Sequence, residues 1–493
     1  MSTLVIVDDP RDLPLEFKDV EMVAARTYLT DSKYAEMRSA KVFNLCRSYR
    51  YQSVGYYVSL LAAARGHKPI PNITTIQDLK SQTIVRVESE DLEEIIHKSL
   101  APLQSKEFIL SIYFGKNLAK RYDRLSIYLF KLFEAPFLRA HFLMNEKSSK
   151  WQIHNIRPIA VNEIPEDHRP FVMQVAHDFF VKRHPYIKKR ATSRYDLAIL
   201  YNPQEKEPPS NQRALKHFIK AAESLGISPE LIEKDDYGRL AEFDALFIRE
   251  TTSVTNHTYR FARKAQAEGI VVVDDPDSIL KCTNKVFLAE LLDRHKILTP
   301  KTVIVSRSNK NAIQSMLGLP CILKRPDSSF SQGVLRVEKE GDLGSHIDRM
   351  LERSDLIIAQ EFIATPFDWR IGIFDRQPIF VCKYYMAEKH WQIIKRDSNG
   401  IKTDDGVHET LPVEHAPTGL IRTALRSANL IGDGFYGVDI KQVGKNFYVI
   451  EVNDNPNVDA GVEDMILKDE LYVRIMRVIL KRIEQRKGLG YYI

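Results

Sequence analysis

The chain of 493 residues predicts an α/β fold, and two stretches carry that prediction. From Asp196 onward the apolar runs 197–200, 245–248 and 270–273 read as strands. Between them, Leu215, Phe218, Ile219 and Ala222 recur at helical spacing up to a stop at Gly226, and a second helix runs to Gly269. Strands that alternate with helices need crossover connections, which predicts a small parallel, doubly wound unit. Residues 436–456 read differently, as an antiparallel hairpin with Val438 and Ile440, then Tyr448, Ile450 and Val452, alternating with polar positions.

Length predicts roughly two to four domains. A hydrophobic fraction of 44% and a charged fraction of 28% are those of an ordinary soluble protein. The net charge of +6 is small for this size and argues against bulk nucleic-acid binding. The apolar run 4–7 is stopped at once by Asp8 and Asp9, and no stretch approaches membrane-spanning length, so the expectation is a cytoplasmic protein with no membrane partner. Cys46, Cys282, Cys321 and Cys382 form no C-x-x-C pair, which argues against zinc or a disulfide framework. The sequons at Asn72 and Asn256 carry no meaning in a chain that is not secreted.

Residues 1–190 are the least patterned. A strand is expected at 4–7, a helix through Val54, Tyr57, Val58, Leu61 and Ala62 that stops at Gly66, and another strand at 84–87. Tyr49-Arg50-Tyr51 reads as packing at the helix entry, with substrate or nucleic-acid contact as the sharper alternative. Lys182-Arg183-His184 and Lys188-Lys189-Arg190 mark a linker. After Asp274-Asp275-Pro276, Thr283 is placed to cap a helix that carries Lys285. A strand at 321–323 ends in Lys324, the polar loop 327–333 follows, 357–362 is apolar except for Gln360 and Glu361, and a further strand begins at Asp368. An amphipathic helix with a basic end starts near Leu467.

If Gly444, Lys445 and Asn446 form a three-residue loop, Asp439 falls opposite Glu451 and Asn453 shares their face. Opposed carboxylates destabilise a sheet and need a reason. Magnesium is one, because it takes oxygen ligands from one or two carboxylates plus the phosphates of a nucleotide. A solvated polar face is the bland alternative. Gly432-Asp433-Gly434-Phe435-Tyr436-Gly437 matches the dinucleotide fingerprint, yet a helix precedes it and a strand follows, the reverse of what that motif requires. No P-loop occurs in the sequence.

In order along the chain stand Asp275-Pro276-Asp277-Ser278-Ile279 with Asn284-Lys285, Leu323-Lys324-Arg325-Pro326, Gln360-Glu361-Phe362-Ile363, Asp368-Trp369-Arg370, Gly437-Val438-Asp439-Ile440 and Glu451-Val452-Asn453-Asp454-Asn455-Pro456. This series resembles the ATP-grasp superfamily, in particular the RimK-like amino-acid ligases, over about 191–493. Residues 50–61 and 453–464 are similar to the long-chain members of that family, in which a RimK-associated domain precedes the ligase.

The resemblance implies an ATP-grasp fold, α+β in character, preceded by the small doubly wound α/β domain and an extra N-terminal domain. The expected boundaries are 1–190 for the RimK-associated domain, 191–280 for the pre-ATP-grasp domain, 281–360 for the lid subdomain and 361–493 for the C-terminal subdomain. It implies that Lys285 and Lys324 bind ATP phosphates as point charges, under a loop in which Ser328, Ser329, Ser331 and Gly333 offer hydroxyl and N–H groups. That loop has one glycine where the family has more. Adenine is expected against Gln360, Glu361, Phe362 and Ile363, and the ribose on Asp368. Asp439, Glu451 and Asn453 are expected to hold two Mg2+ ions, with Mn2+ as the substitute, and Arg370 to stabilise developing charge unless it serves only as a salt bridge to Asp368 or a neighbour.

The implied activity joins a carboxylate to an amine through an acyl phosphate, with glutamate or another amino acid on one side and a peptide, a protein terminus or an amino acid on the other. Synthesis of a small metabolite such as a dipeptide is the competing enzymatic reading, and a non-catalytic ATP-binding sensor or scaffold the competing class. Family habit implies a homo-oligomer.

Overall fold

A computed structural model describes residues 2–12, 20–37, 40–82, 85, 89, 92–145, 150–182, 193–327, 333–387, 394–396, 402–405 and 407–488. The chain divides into two compact units, residues 1–191 with 237–242, and residues 192–236 with 243–493. Among the described residues no helix is long and apolar enough to cross a membrane. All four cysteines are buried as free thiols.

In the first unit, β1 (Ser2–Val7), β2 (Val20–Ala24), β3 (Ala40–Asn44) and β4 (Lys68–Ile70) form a parallel sheet in the order β2-β1-β3-β4. The helix Val54–Ala64 packs on it, capped by Ser53 and followed by Gly66 in the left-handed conformation that ends helices. A separate antiparallel sheet joins β5 (Glu107–Tyr113), β6 (Phe137–Asn145) and β7 (Lys150–Pro158). The strand expected at 84–87 lies mostly outside the described residues, and Val85 is helical, its N–H donating to Ser81. Tyr49 packs inward with its hydroxyl donated to the Asn44 carbonyl, whereas Tyr51 is 67% exposed. The basic residues 183–190 lie outside the described residues.

The second unit opens with the doubly wound sheet. β8 (Tyr195–Leu200), β9 (Ile227–Ile232), β10 (Ala245–Ile248) and β11 (Val271–Val273) are parallel in the order β11-β10-β8-β9, with the helices Gln212–Ser224 and His257–Ala267 as crossovers. Strand β9 escapes the sequence reading because Ser228, Pro229 and Glu230 interrupt its apolar pattern, which an edge strand tolerates. Next, β12 (Thr302–Val305), β13 (Cys321–Lys324), β14 (Val334–Val337) and β15 (Ile357–Glu361) form an antiparallel sheet over a core that includes Leu323, Ile347 and Ala359.

A five-stranded antiparallel sheet follows, built from β16 (Phe367–Phe374) and β17 (Gln377–Tyr385), then, past a short ribbon of β18 (Ile394–Arg396) and β19 (Lys402–Asp405), from β20 (His408–Leu411), β21 (Phe435–Val443) and β22 (Asn446–Asp454). Its order is β20-β17-β16-β21-β22. One face buries Trp369, Ile371, Val438 and Val452 against the helices Lys285–Arg294 and Thr418–Ile431. Phe374, Cys382 and Phe435 on the other face share a core with the C-terminal helix Asp469–Arg486. The glycine-rich segment 432–437 joins the helix Thr418–Ile431 to β21, so it is not a dinucleotide loop. Its Gly437 is needed because a Cβ there would meet Pro456 at 2.8 Å.

The hairpin of β21 and β22 corrects the expected turn. Val443 pairs with Asn446, so the loop has two residues, Gly444 and Lys445, and only Gly444 is left-handed (φ 59°), the first-position glycine of a type II′ turn. The register then shifts at a β-bulge. Ile440 pairs with Val449 but Asp439 pairs with Glu451, so Ile450 is the extra residue. A shorter turn and one inserted residue restore the facing carboxylates that a three-residue loop was expected to give. The bulge also overturns the expected alternation, because Val449 and Val452 are buried while Ile450 is not.

A Cβ on Gly444 meets nothing within 4 Å, so replacement there costs conformational energy alone. Gly444→Ala is therefore expected to destabilise the hairpin by about 1 kcal/mol, read as a lower melting temperature, and Gly444→Asn by less.

Candidate active site

Lys285 opens its helix, but Thr283 is not the cap. Thr283 donates its hydroxyl to the Ile279 carbonyl within the preceding helix, and Asn284 Oδ1 accepts instead from the N–H groups of Val286 and Phe287, each at 3.1 Å. The Lys285 N–H donates to Pro326 O (2.9 Å), which ties this helix to the segment after β13. Its ammonium lies 3.7 Å from Glu451 Oε2.

Lys324 ends β13 and is buried. Its ammonium donates to Gln360 Oε1 (2.8 Å), and Gln360 Nε2 donates to Thr302 Oγ1 (2.9 Å), a relay across three strands that fixes the lysine. Lys285, Lys324, Thr302 and Gln360 line one cavity with Leu288 and the bulged Ile450. In the segment expected to meet adenine, Glu361 is already committed. Its N–H donates to Lys301 O and its carboxylate accepts from Lys301 N, both at 2.9 Å. The ladder ends there, Ile363 lies past it, and the Phe362 ring sits 4.2 Å from the Arg336 guanidinium. Ser328, Ser329 and Ser331 lie outside the described residues. Gly333 is left-handed (φ 75°), and the space its missing Cβ leaves is taken by the Arg325 guanidinium.

The charged residues of the five-stranded sheet gather on one face because Trp369, Val438, Ile440 and Val452 point to the other. Arg370 of β16 makes a bidentate pair with Asp439 of β21, Nε to Oδ1 and Nη2 to Oδ2, each 2.7 Å. Its guanidinium also lies 5.4 Å from the Tyr384 ring. The partner is thus Asp439 and not Asp368, which is bound by Lys441 at 2.6 Å. The Asn453 amide donates to both Asp439 Oδ2 and Glu451 Oε1, at 3.2 Å each. Lys441 and Tyr384 were missed from the sequence. Lys441 was within reach of it, lying two residues past Asp439 on the same strand face, whereas Tyr384 comes from a strand whose register only the sheet fixes.

Burial pushes the Asp439 carboxyl up to about 6, against the pull of Arg370. Burial acts on Glu451 in the same sense, but the nearby Lys285 and Lys324 outweigh it and hold that carboxyl at about 2. Burial pushes the Lys324 ammonium down to about 8, with Glu451 opposing.

Among the described residues no group of three or more His, Cys, Asp or Glu could hold a metal ion. The donor set nevertheless fits magnesium, which needs only one or two carboxylates when phosphates supply the rest. The Asn453 amide NH2 occupies the place between two carboxylates that a cation would take, and turning that amide brings its oxygen there to give an all-oxygen set.

The Arg370–Asp439 pair keeps 20% and 14% of its side-chain surface. Arg370→Met leaves Asp439 without its cation and is expected to cost about 2 kcal/mol, somewhat below a fully buried case. Adding Asp439→Leu should recover most of that loss in thermal melts.

The RimK-like ATP-grasp domain family matches residues 282–479, and the RimK-like ATP-grasp N-terminal domain family matches residues 25–175. The chain is 27% identical over 258 residues to the alpha-aminoadipate–LysW ligase LysX of Saccharolobus solfataricus, covering 49% of this chain and 88% of that protein. It is 28% identical over 234 residues to a probable alpha-L-glutamate ligase of Syntrophotalea carbinolica, covering 47% and 74%. Among solved structures, a RimK domain ATP-grasp protein from Sphaerobacter thermophilus aligns with a TM-score of 0.43 and 16% identity, over 58% of this chain and 99% of that one. The chain therefore carries, in order, a RimK-like ATP-grasp N-terminal domain and a RimK-like ATP-grasp domain, within a mixed α/β fold.

Proposed function

We propose that this protein is an ATP-dependent carboxylate–amine ligase that activates its carboxylate as an acyl phosphate. The observation that carries the reading is the convergence of Lys285 and Lys324 on Glu451, which faces Asp439 across a sheet. Phosphate cations and metal carboxylates thus share one site.

In the first step a carboxylate oxygen attacks the γ-phosphorus of ATP, the bond to the β–γ bridging oxygen breaks, and ADP leaves. The amine then attacks the acyl carbon, phosphate leaves, and the amine proton passes to solvent or base. Lys285 and Lys324 neutralise the phosphates. Asp439, Glu451 and Asn453 would hold Mg2+ or Mn2+, two ions in the fullest form, which supply a clamp on the transferring phosphoryl group. Arg370 holds Asp439 by a bidentate pair, and its charge faces the developing anion. Ser328, Ser329, Ser331 and Gly333 would offer hydroxyl and N–H groups to the phosphates, Gln360, Glu361, Phe362 and Ile363 flank the adenine, and Asp368 takes the ribose.

One relative's name joins alpha-aminoadipate to LysW and another's names alpha-L-glutamate. These support an amino acid on one side of the new bond and a peptide, protein terminus or amino acid on the other. The reading takes the enzyme to be cytoplasmic, where ATP and magnesium are abundant, and its assembly to be homo-oligomeric.

ADP release, measured with Mg-ATP and paired panels of amino acids and short peptides, is expected to require both a carboxylate and an amine. Release that depends on neither refutes the ligase reading in favour of an ATP-binding sensor. Glu451→Gln should lower release at least a hundredfold, and unchanged release removes this residue from the site.

The Lys324 ammonium gives a pH signature. Below about 8 the free protein carries the charge, and above it the charge is lost. ATP binding should weaken as pH rises from 7 to 9 and take up a proton, read by calorimetry in buffers of different ionisation enthalpy.

A further inference from the structure

The polar face shared by β16 and β21 carries two ion pairs of opposite polarity. β16 supplies Arg370 to Asp439 of β21, and two residues along, β21 supplies Lys441 to Asp368 of β16. The first pair is bidentate and uses both oxygens of its carboxylate. The second is built differently. Lys441 Nζ donates to Asp368 Oδ1 at 2.6 Å and to Thr365 Oγ1 at 2.8 Å, and Thr365 Oγ1 donates to the same Asp368 oxygen at 3.0 Å. Three groups close a triangle on Oδ1, and among the described residues Oδ2 accepts nothing.

An ammonium ordinarily holds one oxygen, so the informative group is Thr365, whose hydroxyl goes to the oxygen that Lys441 already holds and not to the other one. Spending two donors on one oxygen fixes the direction of the carboxylate and leaves its other oxygen to an outside donor. The pair keeps 14% and 17% of its side-chain surface, so a ligand can reach it. It also lies in the field of the phosphate lysines, since both Lys441 and Asp368 act on the charge of Lys324. An ionised carboxylate only accepts hydrogen bonds; a nucleotide's donors are the vicinal hydroxyls of its sugar and the amino group of adenine, and the hydroxyls are the nearer to the phosphates that Lys324, within the field of Asp368, would hold.

The geometry points to Lys441, with Thr365, as the positioning pair that aims Asp368 at the ribose hydroxyls and so sets the enzyme's preference for ribonucleotides. This deepens the ATP reading above and rests on it. Lys441 is a positioning residue, acting through Asp368.

The test is calorimetric binding of ATP and of 2′,3′-dideoxy-ATP, each with Mg2+, to the full chain. Wild type should bind ATP at least tenfold more tightly, as expected for hydroxyls donated to a charged acceptor. In Lys441→Met that preference should fall below threefold, while Lys441→Arg keeps most of it. A Lys441→Met protein that retains the full preference, or weakens toward both nucleotides equally, overturns the inference and leaves only a strand-joining ion pair. Should Lys441→Met fail to fold, Thr365→Val carries the test, with at least a twofold loss of preference expected and an unchanged preference overturning the proposal. Wild type that binds both nucleotides equally refutes the positioning role while the ATP reading stands. Wild type that binds neither refutes the ATP reading itself.

Discussion

Carboxylates drawn out of water onto a sheet face need cations beside them, because an unpaired buried charge costs more than the sheet can recover. That constraint organises the second unit of this protein. Asp368, Asp439 and Glu451 each sit next to a cation, Lys441, Arg370 and Lys285 respectively. The cations come from other elements than the carboxylates they serve, so the charge balance also locks strand to strand and helix to sheet. This compensation is internal to the unit, each carboxylate being balanced by a side chain of the same chain.

The balance depends on a register that the backbone fixes by two small devices. The tight turn at Gly444 sets one pairing, and the bulge at Ile450 moves it by one residue before it reaches Asp439. Without the bulge Glu451 would turn toward the apolar face, since a one-residue slip inverts every side chain.

The doubly wound sheet supports the far end of the same strand. The Asp274 carboxylate accepts from the N–H groups of Phe435 and Asn455, so it holds the start of β21 and the exit of β22 together. Arg249, fully buried at the end of β10, donates to Asn455 Oδ1 and to the carbonyls of Pro209 and Pro456. Behind Arg370, the Tyr384 hydroxyl donates to the buried Glu463, whose other oxygen accepts the Asp459 N–H at 2.7 Å. The segment after Asn453 is therefore pinned from two sides, which restricts the motion of the proposed metal ligands.

Much of this architecture was legible in the sequence because it rests on local pattern. Continuous apolar runs announced β8, β10 and β11, alternation announced the hairpin, and helical spacing found the crossovers, since these patterns follow from local backbone geometry and burial. The opposition of Asp439 and Glu451 was also legible, though from a loop that the protein does not use. What escaped depended on neighbours distant in sequence. Edge strand β9 tolerates a proline because no strand lies beyond it, Asn284 took the cap from Thr283 by being one residue closer to the helix, and Arg370 meets Asp439 because the register of β16 and β21 sets the two opposite each other. The sequence by itself determined which residues carry charge and, along the unbroken strands β16 and β21, which of them share a face, through the two-residue period of a strand. Only the tertiary structure decided which charges meet, because pairing is a matter of register between strands, and a bulge of one residue, invisible to composition, resets it.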